Sequence, residues 1–212
     1  MKRRECVRLI AMLSIMLATG CSFLSPRPDL IKFYVLTAIE DADSTKPAPS
    51  AASHLAIGLG PVRLPDYLEH SEVVTRVAPN RLELSSIDRW AEPLDESFRR
   101  VLARNLATLL GTDQVVQFPW DASAALNYKI ELTVERFERD GSAGTQLAAN
   151  WVIRDGHSGK LMLARQSNFA ESAGGGMEGA AAALSADLSD LSKQLADAVI
   201  ESNRGRRPRA AN

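Results

Sequence analysis

The chain is short of the residues that do covalent and metal chemistry. Its 212 residues include two cysteines and three histidines. His54, His70 and His157 lie far apart and without the His-x-x-x-His spacing that places two ligands on one helix face, so no metal set is expected. No serine sits in Gly-x-Ser-x-Gly, and no Gly-x-x-x-x-Gly-Lys-Ser/Thr loop exists. Those absences argue against a hydrolase nucleophile elbow and against a P-loop ATPase. There is no cationic excess of the kind nucleic acid selects, since 25 Lys and Arg face 26 Asp and Glu. Long apolar runs are also missing. The longest, Leu9–Ala18, falls well below the roughly 20 residues that span a bilayer. No catalytic residue, cofactor or metal is expected, and the chain reads as a non-enzyme.

What is present begins with an address. Lys2, Arg3, Arg4 and Arg8 precede the apolar run, the layout of a secretory signal. Leu17-Ala18-Thr19-Gly20-Cys21 then resembles the lipobox of bacterial lipoprotein precursors, in which the cysteine is acylated and the chain is cut before it. Cys6 leaves with the signal, so Cys21 would otherwise be a lone thiol in an oxidising compartment. Lipid attachment at Cys21 is therefore expected, with the membrane reached through this N-terminal anchor. Ser22 at the following position fits retention at the periplasmic face of the outer membrane rather than the inner one. The signal removes four basic residues and one acidic residue, leaving a net charge of −4. The expected organisation is signal 1–20, tether 21–29, one folded domain 30–203, and a basic tail 204–212 carrying Arg204, Arg206, Arg207 and Arg209.

Hydrophobic periodicity gives the elements. Ile31–Thr37 and Leu55–Val62 read as strands, with Gly58 and Gly60 marking a bulge or a close backbone approach. Val73–Val77 and Arg81–Ser85 form a hairpin across Ala78-Pro79-Asn80, with Asn80 able to take a positive φ. Asp88–Glu92 leads into a helix whose Leu94, Phe98, Val101, Leu102, Asn105, Leu106 and Leu109 share one face and which Gly111 stops. Gln114–Phe118 is a short strand. Leu126–Phe137 alternates apolar and polar residues, and with Gly144–Arg154 and Lys160–Phe169 it makes an antiparallel meander. A last helix, Met177–Ser202, carries the seam Met177, Ala181, Leu184, Leu188, Leu191, Leu195 and Ala198. This seam either lies on the sheet or pairs with another subunit as a coiled coil. The fold class is α+β, a mostly antiparallel sheet with two long amphipathic helices packed on it.

Two further patterns touch on chemistry. Gly174, Gly176 and Gly179 satisfy Gly-x-Gly-x-x-Gly, but no parallel strand follows the helix they open, as a dinucleotide fold requires. Asp88, Glu92, Asp95 and Glu96 crowd one helix entrance. Two of them have the chemistry of an acid–base pair, against their ordinary role as partners of the helix dipole.

Several segments in combination resemble the PqiC-type ABC-transport auxiliary lipoproteins. They are Phe33-Tyr34-Val35-Leu36, Ile57–Leu68 (IGLGPVRLPDYL), Val74-Thr75-Arg76, Asn80–Leu84 and Asp88–Leu94 (DRWAEPL). The resemblance implies a non-catalytic accessory of an MCE/ABC-type system that moves lipid or other hydrophobic compounds between membranes. The implied partners are an MCE-domain protein and its ABC transporter complex, with the lipoprotein itself a homo-oligomer that docks the conduit at the outer membrane. Tyr67, Leu68 and Trp90 are the candidate partner contacts, as exposed aromatics anchor interfaces. The alternative for Trp90 is that it covers the helix entrance and the core. A stand-alone periplasmic lipid-binding lipoprotein and an enzyme of envelope metabolism are the competing functions.

Overall fold

The computed structural model describes residues 30–39, 52–121, 123–141 and 144–206. The signal, Cys21 and the tether lie outside the described residues, as do Arg207 and Arg209 of the tail. The unit from Ile31 onward is considered by itself. Its elements run β1 (Lys32–Tyr34), β2 (Ile57–Arg63), a 3-10 turn (Asp66–Leu68), β3 (Glu72–Ala78), β4 (Arg81–Trp90), α1 (Leu94–Leu110), β5 (Val115–Gln117), β6 (Tyr128–Asp140), β7 (Gly144–Asp155), β8 (Leu161–Phe169) and α2 (Gly176–Arg206). The α+β class and the order of elements are those read from the sequence.

The described strands form one eight-stranded sheet. Most paired residues are antiparallel, in the β3–β4 hairpin and the β6–β7–β8 meander. Shorter parallel pairings join β1 to β4, and β2 to both β5 and β6. One edge of β6 is shared. β2 runs parallel to Tyr128–Thr133, and β3 runs parallel to Arg139 and Asp140 farther along the same edge. Between those stretches the 3-10 turn stands where a strand would be.

Both helices lie against the sheet and against each other, α1 over β2 and β5, α2 over β6, β7 and β8. The seam of α2, Met177 through Ala198, is buried inside this one chain. It is the helix-on-sheet arrangement, and the coiled-coil alternative has no free seam to use. Trp151, Tyr128, Phe98 and Phe137 fill the space between the layers, with the Phe98 and Phe137 rings edge to face at 5.1 Å. The opposite face of the meander is polar: Arg154 Nε bonds Glu131 Oε1 at 3.0 Å, and Asn150 Nδ2 bonds Glu135 Oε1 at 2.5 Å.

Beyond β1 the backbone crosses the helices and is tied down by their side chains. Thr37 N donates to Ser185 Oγ at 3.1 Å, and Ile39 N donates to Asn105 Oδ1 at 2.8 Å. Asn105 Nδ2 in turn donates to Ser192 Oγ at 3.1 Å. The polar residue on the apolar face of α1 is thus fully buried and satisfied by a chain crossing it.

Several boundaries differ from the sequence expectation, each for a physical reason. β1 ends at Tyr34 because the amides beyond it bond helix side chains instead of a strand. β4 continues to Trp90, since Lys32, Phe33 and Tyr34 pair with Asp88, Arg89 and Trp90; these residues are strand, not a lead-in to α1. Leu110 rather than Leu109 is wholly buried at the end of α1. Asn80 keeps a negative φ. Pro79 before it cannot take the positive φ a primed turn needs at both central positions, and the register shifts between Arg76 and Ala78 instead. α2 extends through Arg206, so Arg204 and Arg206 are helical rather than part of a tail. The glycines of β2 do mark a close approach. A Cβ on Gly58 would stand 2.6 Å from Leu126 Cδ1, Gly60 has φ 127°, and the β2–β6 register shifts between Leu59 and Val62.

Candidate functional site

The gap on the β6 edge is closed by side chains. Pro65 opens the 3-10 turn, and Leu68 N returns to its carbonyl at 2.9 Å. This aims Tyr67 along the edge of β6, where its hydroxyl donates to Glu138 Oε2 at 2.6 Å and lies 3.3 Å from the Glu135 carbonyl. The other carboxylate oxygen, Oε1, accepts from Arg76 Nε and Arg136 Nε, each at 2.8 Å. Phe137 N adds a bond to Oε2 at 3.0 Å. The Arg76 guanidinium also lies 5.9 Å from the centre of the Tyr67 ring and donates to the Pro79 carbonyl at 3.1 Å.

Glu138 is completely shielded from solvent at its side chain, while its two arginines keep partial exposure, 19% and 26%. Burial by itself raises its pKa, but the Tyr67 hydroxyl and the two guanidiniums outweigh this and hold the carboxyl below its usual range. Tyr67 is driven far above the ordinary phenol value, first by burial and then by the carboxylate it bonds. The pair is therefore a fixed carboxylate and a fixed neutral donor. It has no proton to exchange near neutral pH, and its chemistry is that of a structural lock between β2, β3 and β6.

The three sequence candidates separate. Leu68 and Trp90 are buried in the core at 3% and 5% exposure. The expectation that they are exposed contacts is corrected on that ground. Trp90 closes the core beneath the helix entrance, with its amide bonded to Ser71 O at 2.7 Å. Tyr67 is partly exposed, but its hydroxyl is committed to Glu138. Cys21 lies outside the described residues. Sequence reading missed Glu138 and Arg136, because β6 carries a bulge between Val134 and Arg136 that reverses its alternation. An acidic residue on the wrong side of the period is the signal that was available.

The acidic residues at the helix entrance do not converge. Asp88 accepts from Ser85 Oγ at 2.7 Å and Tyr34 Oη at 3.2 Å, Glu92 is bonded by Arg100, and Asp95 pairs with Arg99 at 2.9 Å. Each of these three has its own structural partner, and Glu96 is exposed on the first turn of α1. The glycine run serves local packing: a Cβ on Gly179 would fall 2.0 Å from the Gly174 carbonyl oxygen, and no strand follows α2 among the described residues. The described residues hold no cluster of three or more metal-ligating side chains. None of the described helices is long and apolar enough to cross a membrane.

The chain is thus an α+β domain whose single described sheet is locked at one splice and covered on one face by two helices. The chain matches the model of the ABC-type transport auxiliary lipoprotein component over residues 34–196, and it belongs to that family. Among named relatives it is 29% identical over 102 residues to the intermembrane transport lipoprotein PqiC of Escherichia coli K12, a match covering 48% of this chain and 51% of the relative. The Shigella flexneri PqiC matches to the same extent, so the chain spans about half the length of the curated relatives it matches. The fold is shared with a crystal structure of a Xanthomonas campestris protein, at TM-score 0.65 and 16% identity over 82% of this chain and 98% of that one. An uncharacterised protein aligns at TM-score 0.64 and 18% identity, covering 80% and 98% of the two chains.

Proposed function

We propose that this auxiliary lipoprotein is acylated at Cys21, held at the periplasmic face of the outer membrane, and docks or stabilises the conduit of an MCE/ABC-type system carrying hydrophobic compounds between membranes. The observation that carries the reading is the family match over residues 34–196 standing downstream of a lipobox-like segment ending at Cys21. The geometry supports it. The polar groups of the Glu138 cluster are spent on holding strands together, and the helix–sheet interior is filled with side chains, which leaves the stand-alone lipid carrier without support. A tether of nine residues between Cys21 and Ile31 keeps the domain within roughly 35 Å of its anchor, so it serves as a fixed collar rather than a shuttle. Self-association into a homo-oligomer would multiply weak contacts to one partner.

The test is a pull-down from detergent-solubilised envelopes. The lipidated protein should retain an MCE-domain partner and fractionate with the outer membrane. Mass spectrometry of the N-terminal peptide should show acylated Cys21. Recovery of an unmodified Cys21, or of a lipidated protein that never co-purifies with an MCE protein, would overturn the reading.

A further inference from the structure

Apolar side chains stand exposed on the outer surface of the β1–β4 end of the sheet. Phe33 is 65% exposed, Val35 49%, Ile31 41% and Ile87 38%. Phe33 lies in β1 and Ile31 and Val35 flank it two residues away on either side; all three are exposed, whereas Tyr34 is half-buried and Leu36 buried. Tyr34 and Trp90, which are in register, turn toward the core, placing Phe33 on the opposite side. Ile31 and Ile87 each precede the Lys32–Asp88 register pair by one residue, and so are neighbours across the two strands. The result is an apolar strip at one end of the sheet, bordered by Arg89, which stands in register with Phe33; Leu161 and Met162 are the exposed apolar residues of β8 at the other end. Among the described residues β1 is also the last strand at this end, paired with β4 alone.

Lys32 is exposed, whereas the carboxylate of Asp88 is taken up by Ser85 and Tyr34, and Arg89 is engaged by Glu72 at 3.5 Å. Exposed apolar side chains on an edge strand, next in sequence to an exposed lysine whose long stem can reach headgroups from the Tyr34 side, have the composition of surfaces that settle into the headgroup region of a bilayer.

Sequence position identifies the occupant. The strip begins at Ile31, ten residues after Cys21, and is the first part of the folded unit to follow the tether. We infer that the Ile31–Phe33–Val35–Ile87 strip rests on the lipid surface to which Cys21 is attached, so that the domain has a fixed face toward the membrane. This rests on the anchored-lipoprotein reading above. A second copy of the chain is the competing occupant, and the test separates the two.

With Cys21 acylated and Cys6 removed, a cysteine introduced at Val35 or Phe33 is the only reactive thiol of the mature chain. Lipidated Val35→Cys and Phe33→Cys proteins, labelled with an environment-sensitive fluorophore, are reconstituted in phosphatidylethanolamine–phosphatidylglycerol vesicles bearing a doxyl-lipid quencher. The label should be quenched several-fold more at these positions than at Leu161→Cys, on β8 at the far end of the sheet. Unlipidated Cys21→Ser protein should sediment weakly with the same vesicles, and Ile31→Ser with Phe33→Ser should lower its partition by about tenfold, as expected for withdrawing two apolar side chains from lipid contact. Equal quenching at all sites overturns the inference. So does shielding of the Val35 label that follows protein concentration in vesicle-free detergent, which assigns the strip to a second copy. If Cys21 proves unmodified but the unlipidated protein still partitions through the strip, the anchor reading fails while the strip stands.

Discussion

Replacing Glu138 by glutamine keeps the side chain's shape and removes its charge. Arg76 and Arg136 would then face a neutral amide oxygen, and the amide NH2 would meet the Tyr67 hydroxyl and the Phe137 N–H, at a site shielded from water; breaking a buried ion pair on one side costs about 3–5 kcal/mol. We expect Glu138→Gln to lower the urea midpoint accordingly, and Tyr67→Phe to cost about 1–2 kcal/mol through one lost charge-assisted bond. In the double variant the two effects should be less than additive, since both act on the same carboxylate. Asp187 behaves oppositely. It is fully buried on α2, with Oδ2 accepting from Thr145 Oγ1 at 2.7 Å and Oδ1 without a hydrogen-bond partner. Burial first, then the charges of Glu171 and Asp190, raise its pKa from 3.8 to about 6, against the Thr145 bond; Arg139, in register with Thr145, does not reverse this. The fold therefore favours the protonated acid. That contribution is complete below about pH 3.8 and is lost as pH rises through about 6. Urea titrations between about pH 4 and pH 7.5 should show stability falling as the solution becomes neutral. Asp187→Asn should flatten that fall and gain on the order of 2–3 kcal/mol at the upper end. A variant no more stable than the parent at neutral pH would refute the assignment.

At the scale of elements, what could be read from the sequence was whatever depended on near neighbours. The apolar residues of α2 recur at steps of three and four, and the structure buries that seam. The period-two alternation of β6 sets its core face as far as Val134. Beyond it a single bulge at Glu135 puts Phe137 on the core face and turns Glu138 to the opposite face, where Tyr67, Arg76 and Arg136 cover it; the one local sign of the bulge is an acidic residue at an apolar position of the period. The parallel pairings were hidden for a related reason. Lys32 finds Asp88, and Ile57 finds Tyr128, across long stretches of chain, and such choices depend on the assembled sheet. Trp90 illustrates the same limit: the helix it precedes was legible, but the strand it ends was not. The segment after β1 offers a direct check. Asn105→Ala would strip the Ile39 amide of its acceptor and leave Ser192 unpartnered by α1, at a cost of about 2 kcal/mol. Hydrogen exchange at Ile39 should accelerate well beyond the change seen at the strand amides of β6.

For the whole molecule, α2 is the element whose loss cannot be absorbed. Leu188, Leu191 and Leu195 are wholly buried beneath it, in contact with the layer formed by β6, β7 and β8. Leu188→Ala or Leu191→Ala should each cost about 2–5 kcal/mol, measured by thermal or urea unfolding, because the packed sheet leaves little room for collapse around the cavity. Exposed substitutions on the meander's outer face, such as Gln166→Ala, should stay within about 0.5 kcal/mol of the parent. On the anchored reading proposed above, the domain comes under tension whenever the membrane and its partner move apart. A pull entering at Lys32 meets a strand held to β4 by only three residues in register, which would peel away first. The load would then reach Thr37 and Ile39, whose amides are hooked to Ser185 and Asn105 on two separate helices. The domain thus carries a weak link backed by a latch: a short length of slack is released before the core bears any strain.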